Sequence, residues 1–241
     1  MTFERCPDIK VFVDCADFES IRQSLALPVV RGFTTNPSLV AQAGIADYTA
    51  YAAKVLELVP SLPLSFEVLS EDAAGMEREA RIISAWGRNV YVKIPVIDAR
   101  GESQGPLIRK LSAEGIPLNV TTVFTPEQAR IAAECLAPDA PALVSVFAGR
   151  IADVGVDPVP IVRECRDIVA GLPKAELLWA STREVYNIWQ AAGAGCRVIT
   201  APLSMVRKLA DAGKDLTELS REAVQTFMRD IAKAGVRFGN T

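Results

Sequence analysis

VYVKIPV, from Val90 to Val96, is an apolar run interrupted by one charged side chain, Lys93. Its nearly continuous hydrophobicity is typical of a β-strand that is covered on both faces, as in a parallel sheet. Such a strand has no solvated edge, so Lys93 should be buried or face the inside of a barrel. Burial favours the neutral form of an amine, and the neutral amine is the form that attacks a carbonyl carbon. Lys93 is therefore either a catalytic amine or one half of a buried ion pair.

Seven other short apolar runs alternate with longer segments along the chain. With 90–96, the predicted strands are 10–15, 31–36, 62–68, 116–123, 142–147, 176–181 and 196–203. The segments between them place apolar residues three or four positions apart, which predicts helices. The clearest of these helices span 48–59, 72–86, 126–136, 158–170 and 184–192. Eight strand–helix units in 241 residues predict an α/β fold, a single (β/α)8 TIM barrel over residues 1–241. An open doubly wound sheet is the main alternative.

A last predicted helix, from about Thr217 to Gly235, exceeds what a barrel needs. Its apolar residues fall on one stripe: Leu216, Leu219, Ala223, Phe227 and Ile231. Such a helix could cover its own barrel or dock on a neighbouring subunit.

Composition and charge exclude several classes of function. The net charge of −3 and pI of about 5.2 provide no basic field for nucleic acid. No apolar run approaches the roughly 20 residues that cross a bilayer, so no membrane partner is expected. The N-terminus lacks the apolar segment of a signal peptide. The five cysteines are widely spaced and form no CxxC pair, as expected for reduced thiols in a cytoplasmic protein.

The chain contains no histidine. This excludes Ser-His and Cys-His nucleophile pairs and every metal site that depends on histidine. Acid–base chemistry must then come from Asp, Glu, Lys, Tyr, Cys or bound water.

Polar or charged residues stand near the ends of almost all the predicted strands. They are Asp14, Thr34, Asn36, Glu67, Lys93, Asn119, Thr121, Ser145, Ser181, Arg183 and Thr200. In a parallel barrel the strand interiors are apolar, and catalytic groups lie at the carboxyl ends of the strands. These residues should therefore converge on one mouth of the barrel.

Asp14 and Glu67 are the candidate acid–base groups beside Lys93. Each could instead form a salt bridge with Lys93 or Arg183, and Asp14 could cap the helix that begins near Asp17. Two carboxylates beside one lysine, in a chain without histidine, are a sufficient set for Schiff-base chemistry.

Arg183 follows the seventh strand and is predicted to open the next helix. Loops after strands seven and eight of such barrels commonly hold phosphate, and a helix N-terminus and a guanidinium both favour a phosphate dianion. The alternative is an ion pair with Glu184. We favour the phosphate site.

Six motifs, in order along the chain, resemble those of the transaldolases, especially the short single-barrel group that includes fructose-6-phosphate aldolase. They are FVDCAD with Asp14, TTNPSLV with Thr34 and Asn36, VKIP with Lys93, NVTTVF with Asn119 and Thr121, VSVFAGRI with Ser145, Phe147 and Arg150, and ASTRE with Ser181 and Arg183. Individually a VKIP motif is common, but six motifs in this order and spacing are specific.

The resemblance implies a Schiff base between Lys93 and the C2 ketone of a ketose phosphate of the sedoheptulose 7-phosphate or fructose 6-phosphate type. It implies that Asp14 takes the C4 hydroxyl proton and that Glu67 acts through a water held with Thr121. The implied substrate contacts come from Thr34, Asn36, Asn119, Ser145, Phe147, Arg150, Ser181 and Arg183. An aldose phosphate accepts the dihydroxyacetone unit, as in the pentose phosphate pathway. Because the imine is the electron sink, neither metal nor cofactor is expected.

Two positions separate transfer from simple aldol cleavage in this family. Glu67 and Phe147 match transaldolases, whereas the aldolase branch tends to have Gln and Tyr there. Departures from the family pattern are Cys15, Val146, Thr182 and the longer loop after Lys93. They leave open an aldolase-like enzyme, the same chemistry on an unusual sugar in a specialised pathway, or a catalytically silent barrel that binds sugar phosphate. The resemblance also implies a homo-oligomer of five or ten subunits.

Overall fold

A computed structural model describes residues 3–238 and contains a closed barrel of eight parallel strands, each paired with the next and the last with the first. The strands are β1 (Lys10–Asp14), β2 (Val30–Thr34), β3 (Leu64–Glu67), β4 (Val90–Pro95), β5 (Leu118–Val123), β6 (Ala142–Val146), β7 (Ala175–Trp179) and β8 (Val198–Ala201). The predicted TIM barrel is confirmed, and the alternative of an open sheet is wrong. The assignment of all of residues 1–241 to one domain stays a prediction.

Helices surround the barrel between the strands. They are α1 (Phe18–Leu25), α2 (Pro37–Gln42), α3 (Tyr48–Leu58), α4 (Ala73–Ser84), α5 (Gly105–Ala113), α6 (Pro126–Cys135), α7 (Ala148–Asp153), α8 (Pro158–Val169), α9 (Asn187–Ala194), α10 (Leu203–Lys208) and α11 (Leu216–Ala234). Several begin at a side chain that caps the first turn, such as Asp47 before α3 and Thr125 before α6. No helix in the described part of the chain is both long and apolar enough to cross a membrane.

The barrel interior is closed by a small apolar layer that is separate from the large core between strands and helices. This layer consists of Phe12, Leu143, Leu178, Ala180 and Val198, with Tyr91 and Phe147 packed against it. Tyr91 lies two residues before Lys93, and side chains two apart on a strand share a face. The polar strand ends therefore lie one layer above a dry floor.

Gly32 makes room for this floor. A Cβ at Gly32 would lie 2.7 Å from the Phe12 ring, so only glycine lets that ring fill the barrel.

Helix α11 confirms the predicted extra helix at the C-terminal end. It does not cover its own barrel, because none of its residues is buried. Leu216 is 78% exposed, and Phe227 and Met228 are each 62% exposed. The alternative in which α11 completes the core of the same chain is therefore wrong, and its apolar stripe faces outward.

Candidate active site

A cavity of about 410 Å³ opens at the carboxyl ends of the strands. All twelve residues singled out from the sequence line it: Asp14, Thr34, Asn36, Glu67, Lys93, Asn119, Thr121, Ser145, Phe147, Arg150, Ser181 and Arg183. Strand pairing explains the central group, because Glu67 pairs with Lys93, and Lys93 pairs with Asn119. Three neighbouring strands thus present one polar layer to the cavity.

Lys93 is 6% exposed and donates two hydrogen bonds at the cavity floor. Its Nζ lies 3.0 Å from Glu67 Oε2 and 2.8 Å from the carbonyl oxygen of Thr35. The side chains of Lys93 and Glu67 are 7% and 13% exposed, so the ion pair is largely removed from water. The two interpretations of Lys93 therefore coexist: it is one half of a buried ion pair, and the pair lies in a cavity.

Asp14 is held as a hydrogen-bond acceptor and does not cap a helix. Thr34 Oγ1 donates to Asp14 Oδ1 at 2.7 Å, and because that uses the Thr34 proton, Thr200 must donate to Thr34 over their 2.6 Å contact. Asn36 Nδ2 donates to the other oxygen of Asp14 at 3.2 Å. The cap of α1 is Asp17, whose side chain accepts from the backbone of Ser20. The capping role considered for Asp14 is wrong, because its carboxylate faces the barrel.

Burial raises the pKa of Asp14, against the opposing effects of the Lys93 charge and of the Thr34 and Asn36 hydrogen bonds. A carboxylate with these properties can exchange a proton with a bound molecule closer to neutral pH than an ordinary aspartate.

Asn36 and Asn119 are each held by neighbouring groups and keep N–H donors for a ligand. Asn36 caps α2 by accepting from the Leu39 backbone at 3.0 Å. Asn119 donates to Ser65 Oγ at 3.0 Å and accepts from Ser145 Oγ at 2.6 Å. One amide hydrogen of each asparagine therefore remains, and the ring orientations are fixed before anything binds.

Thr121 and Thr122 both line the cavity because β5 is irregular. The pairing of β5 with β6 shifts register between Val120 and Val123, and Thr122 adopts φ 58°. The Thr121 hydroxyl is buried without a hydrogen-bond partner among residues 3–238, whereas Thr122 Oγ1 donates to the Thr121 carbonyl at 2.7 Å. A buried hydroxyl of this kind is free to hold a water or a ligand oxygen.

Arg183 lies in a loop, which corrects the prediction that it opens a helix. The backbone N–H groups of Arg183 and Glu184 both donate to Asn187 Oδ1, and α9 begins only at Asn187. The predicted helix from residue 184 to 192 is therefore wrong at its start by three residues. Arg183 pairs with Asp153 at 2.6 Å, so the alternative partner Glu184 is also wrong.

Arg150 and Phe147 form the opposite side of the same wall. The Arg150 guanidinium lies 5.3 Å from the centre of the Phe147 ring, which in turn packs against Phe124 at 5.5 Å. Two arginines, Arg150 and Arg183, thus border the cavity and can receive an anionic group.

Sequence reasoning missed part of the lining. The additional lining residues are Pro37, Ser38, Leu39, Thr122, Ala180, Thr182, Thr200 and Pro202. Thr200 was visible as a polar residue in the last strand, whereas Thr122 enters through the irregularity in β5, which no sequence pattern marks. Among the departures from the family pattern, Thr182 lines the cavity and donates to the Thr200 carbonyl at 2.6 Å.

No group of three or more acidic, cysteine or histidine side chains that could hold a metal ion occurs within residues 3–238. All five cysteines are free thiols, as predicted.

The sequence of this chain matches a known family over nearly its whole length. The profile described as transaldolase/fructose-6-phosphate aldolase covers residues 11–239. The chain belongs to this family. Relatives named probable transaldolase include one from Herpetosiphon aurantiacus, which is 35% identical over 223 residues, covering 92% of this chain and 94% of the relative. One from Thermoplasma volcanium is 37% identical over 228 residues, covering 93% and 96%. This protein is accordingly a transaldolase-family enzyme.

A solved structure with the same fold lies outside this level of sequence similarity. The crystal structure of 2,3-dimethylmalate lyase, a PEP mutase/isocitrate lyase superfamily member, has a TM-score of 0.57 and 15% identity. The match covers 99% of this chain and 87% of the lyase. At that identity the likeness concerns the barrel alone.

Proposed function

We propose that this transaldolase-family enzyme transfers a dihydroxyacetone unit from a ketose phosphate to an aldose phosphate through a Schiff base on Lys93. The observation that carries the proposal is the contact between Lys93 and Glu67, placed in one cavity with Asp14. A lysine that can give its proton to a neighbouring carboxylate becomes a neutral amine, which is the nucleophile that a ketone requires.

In the first stage, Lys93 Nζ attacks C2 of the ketose and forms a carbinolamine. Glu67, acting through a water held by the Thr121 hydroxyl, gives a proton to the C2 hydroxyl, which leaves as water. The product is an iminium ion at C2. The unpaired, buried Thr121 hydroxyl supports this water site.

In the second stage, Asp14 takes the proton of the C4 hydroxyl as the C3–C4 bond breaks. The bonding electrons pass to C3 and into the iminium, which becomes an enamine, and C4 leaves as an aldehyde. The raised pKa of Asp14 supports this role, because Asp14 must also return the proton later. When an aldose phosphate enters, C3 attacks its aldehyde carbon and Asp14 protonates the new hydroxyl. Water then hydrolyses the imine.

The substrate would lie with its dihydroxyacetone end on the asparagine side and its phosphate end on the arginine side. Asn36 and Asn119 hydrogen-bond the three-carbon unit, and Arg183, Ser181 and Arg150 receive the phosphate. Thr34 and Ser145 support this arrangement through their hydrogen bonds to Asp14 and Asn119.

The leading alternative is aldolase-like cleavage, in which the imine is hydrolysed before an acceptor arrives. Glu67 and Phe147 favour transfer, because the aldolase branch that the sequence resembles tends to have Gln and Tyr there. Free dihydroxyacetone released from fructose 6-phosphate, with and without an aldose phosphate acceptor, separates the two. The same assay with other ketose phosphates tests for an unusual sugar.

Borohydride trapping tests the Schiff base directly. The protein is incubated with fructose 6-phosphate, reduced with borohydride and weighed by mass spectrometry. We expect an adduct on Lys93 that is absent from Lys93→Met. Lys10→Met is the matched control, since Lys10 is also a strand lysine paired with a carboxylate, Glu176, but lies outside the cavity. A folded wild-type protein that gives no adduct with any ketose phosphate would overturn the mechanism and favour a silent sugar-phosphate-binding barrel.

We further propose that α11 docks on a second copy of the chain, in a homo-oligomer of five or ten subunits. Its outward apolar stripe supports this, because a helix with no buried residue gains little stability from its own barrel. The cytoplasmic location and the place in the pentose phosphate pathway stay predictions.

A further inference from the structure

Arg183 is held by an acidic residue that lies behind the cavity wall. Arg183 Nε lies 2.9 Å and 3.1 Å from the two carboxylate oxygens of Asp153, and Nη2 lies 2.6 Å from one of them. Arg183 lines the cavity, whereas Asp153 is not among the described residues that line it. The carboxylate therefore grips the guanidinium from outside and leaves the cavity side open.

The hydrogen-bond donors of Arg183 can be counted. A guanidinium has five N–H groups, and Asp153 takes one on Nε and one on Nη2. The Ser181 carbonyl takes one on Nη1 at 3.1 Å. One N–H on Nη1 and one on Nη2 remain, and two such donors match two oxygens of a phosphate.

The helix that carries Asp153 is locked to the loop that carries Arg183. The backbone N–H of Gly149, in the first turn of α7, donates to the Ala180 carbonyl. A Cβ at Gly149 would overlap the Ser181 carbonyl oxygen, so the loop approaches α7 as closely as glycine allows. Ser181 itself adopts φ 63°. α7 and the loop therefore form one unit, and the same helix carries Arg150.

We propose that Asp153 is a positioning residue for phosphorylated substrates: it fixes the Arg183 guanidinium so that the Nη1 and Nη2 donors face the cavity beside Arg150. This rests on the proposed function for the identity of the substrate, but not for the binding of phosphate. A free arginine side chain samples many rotamers, and binding a phosphate must first restrict them. A guanidinium already held in place avoids that loss.

The arrangement also sets the charge of the phosphate site. Arg150, Asp153 and Arg183 together carry a net charge of +1 rather than +2. Arg150 and Arg183 both lower the pKa of Asp153, so its carboxylate stays ionised over the working pH range. Asp153 is thus a permanent partner of Arg183 and does not need to leave when phosphate arrives.

Asp153→Asn is the decisive variant, and inorganic phosphate is the first probe. We expect calorimetry to show phosphate binding weakened about tenfold, the effect of releasing one flexible side chain. The KM for fructose 6-phosphate should rise by a similar factor, with kcat nearly unchanged. Donors without phosphate, such as dihydroxyacetone, should be unaffected. Asp153→Glu, which keeps the charge, should recover part of the phosphate affinity.

Glu114→Gln provides the matched control. Glu114 grips Arg81 through two contacts of 2.6 Å and 2.9 Å on the outside of the barrel, far from the cavity lining. This variant should leave phosphate binding unchanged, which separates positioning from a general loss of surface charge.

Two outcomes would overturn the inference. Unchanged phosphate binding in folded Asp153→Asn would show that Arg183 needs no partner, and tighter binding would show that Asp153 competes with phosphate. A general loss of kcat with all donors would indicate a structural role instead. Phosphate binding needs no Schiff base, so weakened binding together with failed borohydride trapping would support this inference and reject the proposed function.

Discussion

The Nζ of Lys93 and Oε2 of Glu67 lie 3.0 Å apart at the floor of the barrel mouth, on neighbouring strands β4 and β3. Two charges removed from water depend on one another, since each would be costly alone. The same closeness allows a proton to pass from the amine to the carboxylate. One contact therefore connects the stability of the barrel with the chemistry proposed for it.

A double-mutant cycle tests the stability side of this contact. Lys93→Met and Glu67→Gln should each lower the free energy of unfolding by about 3 kcal/mol, the lower end for a broken buried pair, because water still reaches part of Glu67. The double variant should lose clearly less than the sum of the two, since no unpaired charge remains. Urea unfolding gives all three values. Additive losses would mean that the two side chains are not coupled.

The sequence allowed the barrel to be predicted because each strand and helix carries its own local pattern. Lys93 could be located for the same reason: a charge within VYVKIPV violates the pattern of a buried strand. Strand-end positions then brought Asp14, Glu67 and Asn119 to the same mouth, since parallel strands end together.

Contacts between distant parts of the chain could not be predicted in this way. Asp153 lies 30 residues before Arg183, and no periodicity connects an exposed helix end with a loop. The start of α9 depends on a single Asn187 side chain that binds two backbone N–H groups. The left-handed backbone of Thr122 arises from strand pairing, because threonine does not favour it. These features depend on tertiary packing, which overrides local preference.

The pH dependence of activity should report on Asp14. Because burial raises its pKa, the acid limb of kcat/KM should lie above the ordinary aspartate value of about 4. Thr34→Val removes a hydrogen bond that stabilises the carboxylate, so the pKa of Asp14 should rise further and the limb move to higher pH. The contribution of Asp14 to stability is present at low pH and is lost as pH rises through its folded pKa.

Thr200→Val gives a graded control for this shift. Thr200 donates to Thr34 and not to Asp14, so its removal should move the acid limb in the same direction but by less. An acid limb that stays in place in Thr34→Val would assign the ionisation to a group other than Asp14.

Thr121 offers a test in which stability and activity should move apart. Thr121→Val removes a buried hydroxyl that has no partner in residues 3–238, so the free energy of unfolding should stay equal or rise by about 1 kcal/mol. If that hydroxyl holds the water used with Glu67, kcat should fall about a hundredfold. Thr121→Ser keeps the hydroxyl and should retain most of the activity. An active Thr121→Val variant would remove Thr121 from the mechanism.

Phe147 should influence how the imine is resolved. Phe147→Tyr adds a hydroxyl to a ring at the cavity wall, where it can orient a water for hydrolysis. We expect the ratio of free dihydroxyacetone release to transfer to rise about tenfold, equivalent to one modest interaction in the transition state. Phe124→Tyr is the control, because Phe124 packs on Phe147 but does not line the cavity. A ratio that changes equally in both variants would indicate a packing effect.

The outward stripe of α11 should determine the assembly state. Phe227 lies at its centre and is 62% exposed, and burying a phenylalanine contributes roughly 1.5–3 kcal/mol. Phe227→Glu places a charge in that stripe and should reduce the mass in solution to that of one chain, 26.0 kDa, measured by light scattering or sedimentation. Gln225→Glu adds the same charge on the opposite side of the helix and should leave the assembly intact. The cavity lies within one barrel, so the single chain should still form the borohydride adduct. A wild-type protein that is already a single chain, or a Phe227→Glu variant with unchanged mass, would show that α11 does not join subunits.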